Sequence, residues 1–124
     1  MPKSEDGLFV AYRADQDDAY EEREDLTAAV IAEGTKRVGY GAFYKCSNLR
    51  NIGVPQTVDY IDGYAFAYCE SLMSVKLPDG LIGIGEGAFK GCGSLEDVAV
   101  PDGCLMLGSD AFSGCSALKS AKLP

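Results

Sequence analysis

Apolar residues recur along this chain at an interval that neither the helical period of ~3.6 nor the strand period of ~2 explains. From Ala42 onward the pair Ala-Phe returns every 23 residues, at Ala42-Phe43, Ala65-Phe66, Ala88-Phe89 and Ala111-Phe112. A cysteine follows each Phe three positions on (Cys46, Cys69, Cys92, Cys115), then a leucine (Leu49, Leu72, Leu95, Leu118) and a proline (Pro55, Pro78, Pro101, Pro124). Self-similarity at such a period marks a repeat architecture. Within "LEDVAVP", Leu95, Val98 and Val100 face one way and Asp97 and Ala99 the other, which predicts a short half-buried strand closed by Pro101. "LIGIGEGAF" predicts a second brief extended segment with Leu81 and Ile84 inward, and Ala-Phe-Lys-Gly-Cys a single helical turn.

Each period is therefore read as one coil of a solenoid. Coils stacked at ~4.8 Å place equivalent residues in inward columns. The columns are Phe43, Phe66, Phe89 and Phe112; Leu49, Leu72, Leu95 and Leu118; Val58, Leu81 and Cys104; and Val38, Ile61, Ile84 and Leu107. No coil buries these faces alone, so stability comes from stacking on neighbours.

A degenerate copy lies upstream in the same register. Ala19-Tyr20 stands for Ala-Phe, Arg23 for cysteine and Leu26 for leucine, with Ala29 and Ile31 at strand positions. The competing reading is an amphipathic helix over "DAYEEREDLTAAVIA"; a modified repeat, its charged "YEERED" turn facing water, is preferred. Residues Leu8 to Tyr12 then add a capping strand. The chain divides into an acidic N-terminal cap with a degenerate half-repeat, 1–25, and 23-residue repeats over 26–124, within one structural domain.

"IGEGAFKGCGSLEDVAVPDG" (Ile84 to Gly103) and its sister copies resemble the BspA-like, or Treponema pallidum type, leucine-rich repeat family. That family's run is I-G-x-x-A-F-x-x-C-x-x-L-x-x-V-x-L-P. Three positions depart from the pattern: Thr57 and Asp62 stand where sister copies carry glycine, and Ala121 is a weak strand residue. The resemblance implies a right-handed coil of short parallel strands with short helical turns. It also implies recognition on a concave strand face, and relatives that are bacterial or protist surface proteins used in adhesion. A cell-surface or secreted location follows from that resemblance, although "MPKSEDGLFV" lacks the basic start and apolar stretch of a secretory signal.

Charge removes other partners. The formal net charge is −8. Residues 1–25 hold nine acids against Lys3, Arg13 and Arg23, so most of that charge sits at the N-terminus. Nothing supplies the cationic stripe that nucleic acid requires, and an anionic bilayer surface is disfavoured for the same reason. No apolar run approaches the ~20 residues that span a bilayer.

The candidate chemistry is equally restrictive. The five cysteines are accompanied by no histidine, which removes the commonest general base and metal ligand. Four of the cysteines share one register position next to a core Phe, so they read as buried apolar filler, as does Cys104 in the Val58/Leu81 column. The closest two, Cys104 and Cys115, are far wider apart than the C-x₂-C pairs of zinc sites. "GIGEG" at Gly83 to Gly87 lacks the Lys-Ser/Thr of a phosphate loop and aligns with "YIDGY". No catalytic residue, metal or cofactor is expected.

Three surfaces remain. The outward strand positions Asn51, Ser74, Lys76, Asp97, Ser120 and Lys122, with Gly53 and Ala99, form the concave candidate. Tyr40, Tyr44, Tyr60, Tyr64 and Tyr68 form a second, read either as padding of the solenoid edge or as a binding patch. The C-terminal layer of Phe112 and Leu118 is the third, an edge open to a further copy or further repeats. The reading is a non-enzymatic interaction module with a protein partner; the alternative is a structural spacer or self-assembly unit working through its uncapped end.

Overall fold

The computed structural model describes residues 8–11 and 15–122, with side chains over 15–119. Successive coils stack parallel strands on two sides, the first of which is divided into two separate sheets. The first holds the longer strands: β1 (Leu8–Ala11), β2 (Ala28–Ile31) and β4 (Asn51–Gly53) in that order, then β7 (Asp97–Ala99) beside β9 (Ser120–Lys122). The second runs β3 (Arg37–Val38), β5 (Tyr60–Ile61), β6 (Gly83–Ile84), β8 (Met106–Leu107). Partners such as Ala28 and Asn51, Tyr60 and Gly83, or Val98 and Ala121 are one period apart. Between β4 and β7 the third coil keeps only a single bridge, Ser74 to Asp97, so the long-strand sheet is interrupted there.

The alternation read from sequence sets the burial. Val98 and Val100 are inside and Asp97 and Ala99 outside. Leu49, Leu72 and Leu95 are fully buried, as are Val58, Leu81, Val38, Ile61 and Ile84. The Phe column is a continuous ring stack, with centroids 5.3 Å apart from Phe43 to Phe66 and Phe66 to Phe89, and 5.4 Å from Phe89 to Phe112. The last member of one column departs from expectation. Leu107 is 42 % exposed, because no described coil lies beyond it. Phe112, Cys115 and Leu118 are half-buried for the same reason.

The expected helical turn at Ala-Phe takes a tighter form. Amides alternate: Ala42, Tyr44 and Cys46 donate to carbonyls three residues back, at Gly39, Gly41 and Phe43. Between them Gly41, Phe43 and Lys45 donate onward to Gly63, Ala65 and Ala67 of the next coil. An α-helix would direct every amide along its own chain. Here half are spent on stacking, and this edge becomes a third hydrogen-bonded side. Two left-handed residues per coil allow it: Asp18, Gly41, Tyr64, Gly87 and Asp110 in one column, and Glu22, Lys45, Tyr68, Gly91 and Gly114 in the other.

The upstream stretch is a coil, not a helix. The Tyr20 ring stacks 5.3 Å from Phe43, and Leu26, Ala29 and Ile31 are buried. Both departures at glycine positions make bonds. Thr57 Oγ1 donates to Thr35 O (2.8 Å) and accepts from Gly34 N (3.1 Å). Asp62 accepts from Arg37 (2.6 Å), which also reaches Asp17 (3.3 Å), so Arg37 ties Asp17 of the first coil to the residue that follows β5, the second strand of the short-strand sheet. The weak strand position, Ala121, has its side chain outside the described ones.

Candidate functional site

The thiols are the strongest candidate nucleophiles among the described residues of the interior. Cys46, Cys69 and Cys92 are fully buried, and each donates its S–H to a carbonyl of the preceding coil: Tyr20, Phe43 and Phe66, at 3.1, 3.2 and 3.1 Å. Cys115 does the same to Phe89 (3.1 Å), and Cys104 donates to Met106 O (3.4 Å). Burial raises all five thiols, Cys46 to about 11, Cys92 to about 12 and Cys69 well above its ordinary value. A nucleophilic cysteine needs the opposite shift. Among the described residues no His/Cys/Asp/Glu group is arranged to hold a metal ion.

On the long-strand sheet, Asn51, Ser74, Lys76 and Asp97 are exposed, as are Gly53 and Ala99. Ser74, Lys76 and Asp97 share one open hollow of about 740 Å³ with Asp79, Asp102 and Gly103. Asn51 lies across the sheet interruption and does not line it. The backbones of Ser120 and Lys122 continue the sheet through β9, but their side chains lie outside the described ones. The hollow mixes one cation with three carboxylates and offers no large aromatic anchor, the residue type that dominates binding hot spots.

The tyrosines are arranged differently. Tyr40 packs edge-on against Tyr64 (centroids 5.7 Å) and Tyr44 against Tyr68 (5.8 Å), which brings four of the five together on the turn edge. Tyr60 is apart, on β5, its ring lying over Gly83. The glycines explain how rings fit into so tight a stack. A Cβ at Gly87 would sit 2.5 Å from the Tyr64 ring, and one at Gly91 2.5 Å from the Tyr68 ring. Each ring thus covers the glycine one period downstream, so padding is part of what the tyrosines do. They remain accessible nonetheless: Tyr40 is 47 % exposed and Tyr44, Tyr64 and Tyr68 half-buried.

Carboxylates surround this edge. Asp18 and Glu21 line a hollow of about 340 Å³ with Tyr40, Gly41, Tyr44 and Tyr64. Glu22, Glu24 and Glu70 line a second, of about 240 Å³, with Tyr68, Lys45 and Ser47. Tyr64 donates its hydroxyl to Glu86 Oε2 (3.1 Å), and that bond raises the phenol above its ordinary value. The Lys45 ammonium stands 5.5 Å from the Tyr44 centroid. By sequence Glu21, Glu22 and Glu24 read only as part of a water-facing turn. Writing the chain in its 23-residue register would have found them, since Glu21 falls in the Tyr44 column and Glu22 in the Tyr68 column.

The model of the BspA type leucine rich repeat region matches residues 16–124, in six copies. The chain belongs to that family. Its fold is shared by a Treponema pallidum leucine rich repeat protein (TM-score 0.85, 30 % identity, 100 % of this chain and 57 % of that one). It is likewise similar to a leucine rich cell surface protein from Faecalibacterium prausnitzii (0.88, 29 %, 97 % and 32 %). A third match is a leucine-rich repeat protein from Bacteroides ovatus (0.85, 28 %, 92 % and 30 %). The chain thus spans between about a third and just over half of the length of these structures. No curated protein matches it. No helix among the described residues is long and apolar enough to cross a membrane.

Proposed function

We propose that this chain is a non-catalytic protein-interaction module of a surface protein, used in adhesion. One observation carries the reading: four tyrosines gather on an accessible edge, two of them, Tyr64 and Tyr68, in left-handed positions where the next coil carries Gly87 and Gly91. A left-handed non-glycine residue is disfavoured by ~1–2 kcal/mol, so tyrosine is kept there against a backbone cost. Tyrosine is also the residue type enriched at interfaces. The buried, unreactive thiols supply no competing chemistry. Membership of a family with a cell-surface relative supports the location, and the acidic segment 1–25 is proposed as the cap of the stack.

The test is binding of labelled protein to intact bacterial and host cells, with competition by unlabelled protein. Saturable, competable binding is the expected result; its absence removes the module reading. Two variants then assign the face. A Lys76/Asp97/Lys122 triple alanine variant reports on the strand face, and Tyr44→Ser/Tyr68→Gly on the turn edge. The spacer or self-assembly reading draws its support from Leu105, Met106 and Leu107, exposed by 83, 51 and 42 %. It predicts concentration-dependent association and no cell binding.

A further inference from the structure

We infer that the two hollows of the turn edge are subsites for cationic side chains, so that the partner segment carries lysine or arginine at alternate positions. The inference rests on the interaction-module reading and names the chemistry of its partner. The first hollow sets the carboxylates of Asp18 and Glu21 among the rings of Tyr40, Tyr44 and Tyr64, with no cation lining it among the described residues. The second sets Glu22, Glu24 and Glu70 beside Tyr68, with Lys45 the one cation lining it among the described residues. Covering these carboxylates with a neutral segment would strip their water without return, and an anionic segment would be repelled. An ammonium or guanidinium group satisfies carboxylate and ring face together.

The protein already shows that pairing once. The ammonium of Lys45, a residue of the second hollow, lies over the ring of Tyr44, a wall of the first, so the ring face accepts a cation in this setting. Spacing selects the sequence pattern. Tyr44 walls the first hollow and Tyr68 the second, and their rings are 5.8 Å apart. With the hollows walled by adjoining rings, alternate side chains of an extended segment, about 6.6 Å apart, are the pair proposed to enter them. The strand-face hollow also sets three carboxylates against one lysine, as the second hollow does, but none of its lining residues is aromatic, so it lacks the ring face that completes a cation site.

The test uses the whole chain and fluorescein-labelled synthetic peptides at about 0.15 M ionic strength, where exposed charges are screened beyond ~8 Å. One peptide alternates lysine with serine; a second has the same composition with its lysines in one block; a third replaces lysine by glutamate. The alternating peptide is expected to bind best, read by fluorescence anisotropy. Tyr44→Ser/Tyr68→Gly is expected to weaken it about tenfold, a loss of ~1.4 kcal/mol. Glu21→Gln/Glu22→Gln is expected to weaken it comparably, while Glu33→Gln/Glu96→Gln, an equal charge change elsewhere, leaves it within about twofold.

Undiminished binding by the tyrosine variant overturns the proposal, because net charge alone would then explain it. Equal binding of the block isomer overturns the alternate spacing, and binding of the glutamate peptide or of none overturns the whole. Preference for phosphatidylcholine vesicles would assign the cation to a lipid headgroup instead and overturn the peptide partner. If circular dichroism shows the tyrosine variant unfolded, the two glutamate pairs decide in its place. Saturable cell binding without lysine-peptide binding sinks this inference and leaves the module reading standing.

Discussion

A buried thiol in this protein does something a methyl group cannot. The Phe43 carbonyl accepts Cys46 N within its own coil and Cys69 Sγ from the next, and Phe66 and Phe89 repeat the arrangement. The sulfur column therefore helps to link coils as well as to fill space. The raised thiols give stability a pH dependence of known sign. A group whose folded pKa lies above its unfolded value stabilises the fold below the unfolded pKa, and that contribution is lost as pH rises through the folded one. With thiols near 9 when unfolded and near 11 and 12 for Cys46 and Cys92, the loss begins above about pH 9. Urea midpoints measured at pH 8 and at pH 10.5 are expected to fall, and to fall less in Cys46→Ala/Cys92→Ala. That the sulfurs point inward was legible from their shared register with Phe. Their acceptors were not, because a carbonyl 26 residues upstream leaves no mark on residue type.

At the scale of the element, the turn edge is where sequence reading and structure diverge. Ala-Phe-x-x-Cys carries the spacing of one helical turn, and a single chain gives no sign that every second amide is claimed by a neighbouring coil. The left-handed columns were partly legible, since Gly41, Gly87, Gly91 and Gly114 mark them, but Tyr64, Tyr68 and Lys45 in the same columns masked the rule. Gly91 meets two demands at once, a φ of +74° and the Tyr68 ring 2.5 Å from any added Cβ. Gly91→Ala is expected to lower stability by ~1–3 kcal/mol. Adding Tyr68→Gly removes the ring and restores part of the loss, and thermal denaturation of the four proteins of this cycle measures how much. A fully additive pair would show that ring and glycine are not coupled.

For the whole molecule, position in the stack decides what a residue contributes. Phe89 is enclosed by Phe66 and Phe112, whereas Phe112 is stacked on one side among the described residues and half-buried. Phe89→Ala is expected to cost ~3–5 kcal/mol in a denaturant titration of this chain, and Phe112→Ala clearly less. Equal losses would tell against nearest-neighbour stacking as the source of stability. The architecture was legible because four residue types share one period, and the strand face was legible from alternation. The exposure of Leu107 was not, because periodicity describes the interior of a stack, and no described coil covers that residue. Neither was the break beside Ser74, for which the local sequence offers no distinguishing residue. The interleaving of rings and glycines has a last consequence, for how such a protein can change. A coil bearing Tyr64 and Tyr68 must be followed by one presenting Gly87 and Gly91. Duplicating that coil in tandem would set phenol against phenol where there is space for neither, so these near-identical units have a fixed order and cannot be shuffled like beads.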